Sequence, residues 1–264
     1  MKYETERQHL TRIVEDLRKW DVLNPAGGAV SVRLPDGNIL MSCTRLAFDR
    51  WNVSLRDYIV LDPDGRILEQ TGGLGATGTP THLDLYRILP RAGAIVHAHA
   101  PYSLAFASLG LPIPSVTNRA DTFGEIPCLH ADDRTIKGDF LAAPVELDIP
   151  EGMVQRADVA AINLLHYRPQ IEKLLAPRAG EMERHGLAFT LYRHGAFTIG
   201  RHLEETADLM LRLEESARTA LLQTSLTGGT VYPNRLYQPG ERLDLGDATA
   251  TTPVSSYLTE RVPE

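Results

Sequence analysis

The stretch Ile95-Val96-His97-Ala98-His99-Ala100 constrains the fold of this chain more than any other segment. The apolar run 92–100 predicts a buried strand, and alternate side chains of a strand point to the same face. His97 and His99 should therefore lie side by side at the end of that strand. Two imidazoles in such a place need either backbone hydrogen-bond partners or a bound divalent metal, for which neutral imidazole is a good ligand. This segment alone leaves both interpretations open.

A third histidine stands in a tight connection between two predicted strands. His194 occurs in Arg193-His194-Gly195, between strands predicted over 187–192 and 196–199, and the glycine permits a close backbone approach. Three protein ligands with an open fourth position are typical of catalytic metal sites, whereas structural zinc sites are closed by four ligands. His97, His99 and His194 are therefore the candidate metal ligands.

The other predicted elements are short strands and amphipathic helices. A helix followed by antiparallel hairpins makes up the first third of the chain, and a glycine-rich loop covers 71–78. His82 is interpreted as a packed helix residue, and Glu214 and Glu215 are assigned to the solvent-facing side of the last helix. Helices are predicted over 3–19, 82–89, 102–109, within 159–175 and over 203–222, and further strands over 29–34, 39–41, 58–61, 67–68 and 113–116.

Length and charge exclude several classes of protein. The 264 residues suit one catalytic domain over 1–226, followed by a tail over 227–264 that is rich in Gly, Pro and Thr. A net charge of −7 argues against nucleic-acid binding, which requires a basic surface. No apolar stretch is long enough to span a membrane, and two cysteines exclude a disulfide framework. We therefore expect a cytoplasmic enzyme with a small-molecule substrate and no nucleic-acid or membrane partner.

Four motifs in order resemble the class II aldolase/adducin family, especially its L-ribulose-5-phosphate 4-epimerase-like members. The resemblance extends over about 5–222. It implies an α/β fold, with α/β/α layers around a central, largely antiparallel sheet, and a homotetramer with active sites at the subunit interfaces. The motifs that carry it are residues 79–87 (TPTHLDLYR), 94–99 (AIVHAH), 119–128 (RADTFGEIPC) and 193–200 (RHGAFTIG).

The resemblance also assigns roles to individual residues. His97, His99 and His194 match the metal-binding histidines of the family. Asp121 matches an acid/base aspartate of the epimerase branch, although an ordinary turn aspartate is the alternative interpretation. Arg119 stands where those members have a histidine.

Three departures from the family pattern concern catalysis and phosphate binding. Gly78 replaces the carboxylate that the family places nineteen residues before the first metal histidine. Gly28-Ala29 replaces a Gly-Asn pair, and Thr44-Arg45 replaces a Ser-Gly pair. These losses argue against a standard sugar phosphate. They favour a carboxylate-bearing or aromatic substrate that contacts Thr44, with Arg45 or Arg119 as the anion partner, although Arg45 has a second interpretation as a surface loop residue.

The sequence therefore predicts a metal-dependent lyase, aldolase or epimerase. Its substrate would be a hydroxycarbonyl compound or a 2-oxo acid that chelates one divalent ion, either Zn²⁺ or Fe(II), with Mn and Co as further candidates. Asp121 is the predicted proton shuttle, and Tyr257 of a neighbouring chain is a candidate for the missing base. Two alternatives are a non-haem Fe(II) oxygenase acting on an aromatic 2-oxo acid and a non-catalytic, adducin-like module.

Overall fold

A mixed sheet with helices on both faces forms the body of the protein. The computed structural model describes residues 2–43, 47–70, 79–129 and 168–227. Within these ranges the strands are β1 (Gly28–Arg33), β2 (Ile39–Ser42), β3 (Tyr58–Leu61), β4 (Ile67–Glu69), β5 (Ala94–Ala98), β6 (Cys128–Leu129), β7 (Leu187–Leu191) and β8 (Gly195–Gly200). The helices in the same ranges are α1 (Glu4–Lys19), α2 (Thr79–Ile88), α3 (Pro101–Leu109), α4 (Arg168–Leu175) and α5 (Leu203–Thr227).

The described strands form one sheet in the order β4-β3-β2-β1-β5-β8-β7-β6. Neighbouring strands run antiparallel, except β6 and β7, which are parallel. β5 lies at the centre, between β1 and β8, so both of its edges are hydrogen-bonded. The strand that carries the histidine pair is therefore held on both sides.

Side chains from the two faces of the sheet enter two separate apolar cores. Val30 and Val96 pack on one face with residues of α1, α3 and α5. Ala29 and Ile95, one position away, pack on the other face with residues of α2 and α4. This alternation follows from the period of two in a strand. The predicted α/β/α layers around a largely antiparallel sheet are confirmed.

Two local predictions differ from the structure. The predicted strand over 113–116 is reduced to a single bridge between Ile113 and Ile126, because Pro112 and Pro114 lack the N–H groups that a longer ladder needs. The parallel strand β6 was not predicted, since two residues are too few to show periodicity.

Some predictions fall partly or wholly outside the described residues. The helix predicted within 159–175 is described from Arg168 onward, and α5 runs to Thr227, so the proposed tail is not covered. In the described ranges, none of the helices is both long and apolar enough to cross a bilayer.

Candidate metal centre

Strand pairing explains why His194 meets the histidine pair. β5 and β8 are antiparallel, with His97 opposite Phe197, so the end of β5 lies beside the beginning of β8. His194 occupies the turn just before β8, where Arg193 adopts a left-handed conformation with φ 58°. Two stretches almost one hundred residues apart therefore converge where β5 ends and β8 begins, in the middle of the sheet.

The three imidazole rings form a compact group. Ring centroids are 4.9 Å apart for His97 and His99, 4.8 Å for His97 and His194, and 4.9 Å for His99 and His194. One ligand-capable nitrogen from each ring lies within 4.8 Å of the other two. His97 is 4% exposed, and the other two are partly buried.

Hydrogen bonding leaves lone pairs pointing into the group. His97 Nδ1 donates to the carbonyl oxygen of Ala196 at 3.0 Å, so the neutral ring has its lone pair on Nε2. That Nε2 lies 3.1 Å from His99 Nε2. His194 Nε2 is buried and has no hydrogen-bond partner among the described residues. An unpaired buried nitrogen is costly, and a bound cation would satisfy it.

Burial keeps all three rings neutral at neutral pH. Burial first, and then the nearby His194 and Arg50, lower the pKa of His99 to about 3. Burial lowers the pKa of His194 to about 4. The pKa of His97 is well below its usual value because of burial first and then the neighbouring His194 and His99. Neutral imidazole is the form that binds metals, so this donor set fits a divalent first-row cation.

Two glycines let the backbone approach the rings closely. A Cβ at Gly195, where φ is +144°, would lie 2.5 Å from the carbonyl oxygen of Ala98 and 3.1 Å from His99 Cδ2. A Cβ at Gly27 would lie 2.8 Å from His99 Cε1. Any side chain at either position would push on the histidines, so glycine is required for this geometry.

The segment that follows His99 is anchored by a remote carboxylate. Glu214 on α5 accepts hydrogen bonds from the backbone N–H groups of Tyr102 at 2.7 Å and Ser103 at 2.9 Å, in the first turn of α3. Burial raises the pKa of Glu214, and these hydrogen bonds oppose the rise. The assignment of Glu214 to the solvent-facing side was wrong, because its side chain is 8% exposed. A sequence signal existed: the N-cap Ala100 has no side chain able to cap α3.

The other predicted site residues are not part of this close donor group or lie outside the described residues. Asp121 is exposed in a short 3₁₀ turn and accepts a hydrogen bond from Ser115 Oγ at 2.7 Å. Arg119, just before that turn, is also exposed. Among the described residues the close donor group comprises His97, His99 and His194. Four further residues with predicted roles lie outside the described residues: Thr44, Arg45, Gly78 and Tyr257. Their roles, like those of Asp121 and Arg119, stay predictions.

Comparisons with known proteins find relatives in sequence and in fold. L-ribulose-5-phosphate 4-epimerase UlaF of Salmonella paratyphi C is 27% identical over 210 residues, which cover 78% of this chain and 79% of that protein. The fold is similar to L-fuculose-1-phosphate aldolase from Thermus thermophilus, with a TM-score of 0.58, 22% identity and coverage of 86% of this chain and 99% of the other. An aldolase II superfamily protein from Pseudomonas syringae has a TM-score of 0.62, 17% identity and coverage of 89% and 84%.

The family model named Class II Aldolase and Adducin N-terminal domain matches residues 8–221, most of the chain. This match includes the whole of the histidine group and both strands that position it. The chain therefore belongs to the class II aldolase and adducin N-terminal domain family.

Proposed function

We propose that His97, His99 and His194 bind one divalent metal ion and that the protein is a lyase or epimerase acting on a small substrate that chelates this ion. Family membership indicates a metal-dependent enzyme of the aldolase or epimerase type. Zn²⁺ is the first candidate ion, since three imidazoles with an open position are a common catalytic zinc arrangement.

The convergence of three neutral imidazoles is the single observation that carries this proposal. Their ligand-capable nitrogens lie within 4.8 Å of one another, and His194 Nε2 is buried without a partner among the described residues. A bound cation would give that nitrogen a partner. Burial of the rings also lowers their pKa and disfavours their protonation, which would otherwise compete with the metal.

The proposed chemistry gives separate roles to the bound ion, the histidines and Asp121. A divalent ion would supply Lewis-acid stabilisation of the negative charge that develops on substrate oxygens during carbon–carbon cleavage or proton removal. The three imidazoles would hold the ion, and the close backbone at Gly27 and Gly195 restricts their orientation. Asp121 is the proposed proton shuttle, acting through its exposed carboxylate.

The proposed substrate is a hydroxycarbonyl compound or a 2-oxo acid rather than a standard sugar phosphate. UlaF and the Thermus aldolase bear the names of sugar-phosphate enzymes. This chain, in contrast, has Gly78 in place of the family carboxylate, and Ala29 and Thr44-Arg45 in place of phosphate-binding residues. These substitutions support a different anion in the substrate.

Three further predictions from the sequence concern the oxygenase alternative, the oligomeric state and the cellular location. No comparison supports the Fe(II) oxygenase alternative, so we do not propose it. The homotetramer and the cytoplasmic location stay predictions.

Metal analysis of protein purified without a chelator tests the proposal. We expect about one divalent ion per chain, lost in His194→Gln and retained in His202→Gln, whose side chain is exposed. The loaded protein would then be assayed with L-ribulose 5-phosphate, L-fuculose 1-phosphate and a panel of hydroxy acids and 2-oxo acids. Absence of bound metal would contradict the metal site and favour a non-catalytic module. Efficient turnover of either sugar phosphate would contradict the substrate class.

A further inference from the structure

Arg50 lies between β2 and β3, and its neighbour Trp51 links this part of the chain to the segment that carries His99. Trp51 is buried and donates from Nε1 to the carbonyl oxygen of Asn24 at 2.8 Å. Asn24 in turn donates from Nδ2 to the carbonyl oxygen of His99 at 3.1 Å. Trp51 also lies against Gly28, where a Cβ would be 3.2 Å from its Cζ2. These contacts hold residue 50 beside the end of β5.

One nitrogen of the Arg50 guanidinium group, Nε, is buried without a hydrogen-bond partner among the described residues. Burial also lowers the pKa of Arg50, although an arginine stays charged at any physiological pH. A buried donor on a charged group without an acceptor is strongly unfavourable. A ligand that supplies an acceptor would remove this cost.

Arg50 places one positive charge near the histidines. Arg50 is close enough to His99 to lower the pKa of that ring. A divalent ion on three neutral ligands would add two further positive charges, so this site favours a negatively charged guest.

We infer that Arg50 binds an anionic oxygen group of the substrate, a carboxylate or a phosphate, beside the atoms held by the three histidines. This inference rests on the proposed function and narrows its substrate class to anions. The planar fork of an arginine can bind two oxygens of either group. The sequence predicted Arg45 or Arg119 as the anion partner, and those roles stay predictions. Arg50 was not predicted from the sequence.

Calorimetry on zinc-loaded protein tests the inference with two simple anions, oxalate and inorganic phosphate. Zinc stoichiometry is measured first in wild type, Arg50→Met, Arg50→Lys and the control Arg66→Met, whose side chain is exposed in the turn between β3 and β4. Melting temperatures confirm that each variant folds. We expect equal zinc binding in all four proteins and no loss of melting temperature in Arg50→Met, since Nε has no partner to lose among the described residues.

The affinities for the two anions then test whether Arg50 binds the anionic group. We expect Arg50→Met to weaken the preferred anion by about tenfold or more, with partial recovery in Arg50→Lys and no change in Arg66→Met. A larger effect on oxalate would identify a carboxylate substrate, and a larger effect on phosphate would identify a phosphorylated one. Unchanged binding of both anions to zinc-loaded Arg50→Met would overturn the inference while the proposed function stands. Failure of wild type to bind zinc would overturn both.

Discussion

Acidification should strongly destabilise the metal-free protein, because the folded protein buries several histidines in their neutral form. Burial lowers the pKa of His82 and His99 to about 3 and that of His194 to about 4, whereas unfolded histidine titrates near 6.5. Between these values the unfolded chain takes up protons that the folded chain does not, so stability falls as the pH drops below about 6.5. Each of these rings lowers the free energy of unfolding by about 2 kcal/mol at pH 5 relative to pH 7.5. His97, whose pKa is also lowered, acts in the same direction.

The combined loss of about 6 kcal/mol is as large as the whole stability of many domains. Urea unfolding of chelator-treated protein at pH 7.5, 6 and 5 measures it directly. His194→Gln should reduce the loss between pH 7.5 and 5 by about 2 kcal/mol, because one proton-uptake site is removed. His202→Gln, at an exposed position, should leave the loss unchanged. A wild-type loss under about 1 kcal/mol would refute the argument that these rings are neutral and buried.

Three further predictions test the surroundings of the site. Gly195→Ala should lower the free energy of unfolding, measured in urea, by about 1 to 3 kcal/mol and should weaken zinc binding. The control Gly180→Ala should change neither, because a Cβ there meets nothing within 4 Å. Glu214→Gln should lower the free energy of unfolding by about 1 to 2 kcal/mol, because the amide offers one acceptor oxygen to the two N–H donors of Tyr102 and Ser103. Glu215 is exposed, so Glu215→Gln should change it little. Zinc at one hundred times its Kd should stabilise wild type by about 2.7 kcal/mol and His194→Gln hardly at all; equal stabilisation of both would contradict the assigned ligand.

Local periodicity accounts for most of what could be predicted about the fold. Four apolar residues of α1, at positions 10, 13, 14 and 17, follow the helical period and are all buried as expected. The alternation along β5 likewise predicted two histidines at one strand end. The short strand β6 and the single bridge at Ile113 escaped prediction, because pairing over one or two residues depends on neighbours far along the chain.

The three histidines of the candidate site were predictable from the sequence, but the residues around them were not. His97 and His99 are related by local geometry. His194 was a candidate from its place in a tight connection between two predicted strands, and the family resemblance supported it. Glu214 is hydrogen-bonded to α3, and the Nε of Arg50 is buried without a partner among the described residues. Neither residue has a distinctive local pattern in the sequence. α5 packs against α1, α3 and the sheet, so more of its circumference is buried than a single amphipathic stripe predicts. Glu214 was misassigned for that reason.

Short-range periodicity in the amino-acid sequence predicted the histidine pair, and the order of the motifs indicated the family. The layered α/β/α architecture followed from the resemblance to that family. Only the tertiary structure brought His194 beside that pair, buried Glu214 at the start of α3 and left the Nε of Arg50 without a partner among the described residues. Burial and electrostatic environment arise from groups distant in the chain. They become defined once the strands pair and the helices cover both faces of the sheet.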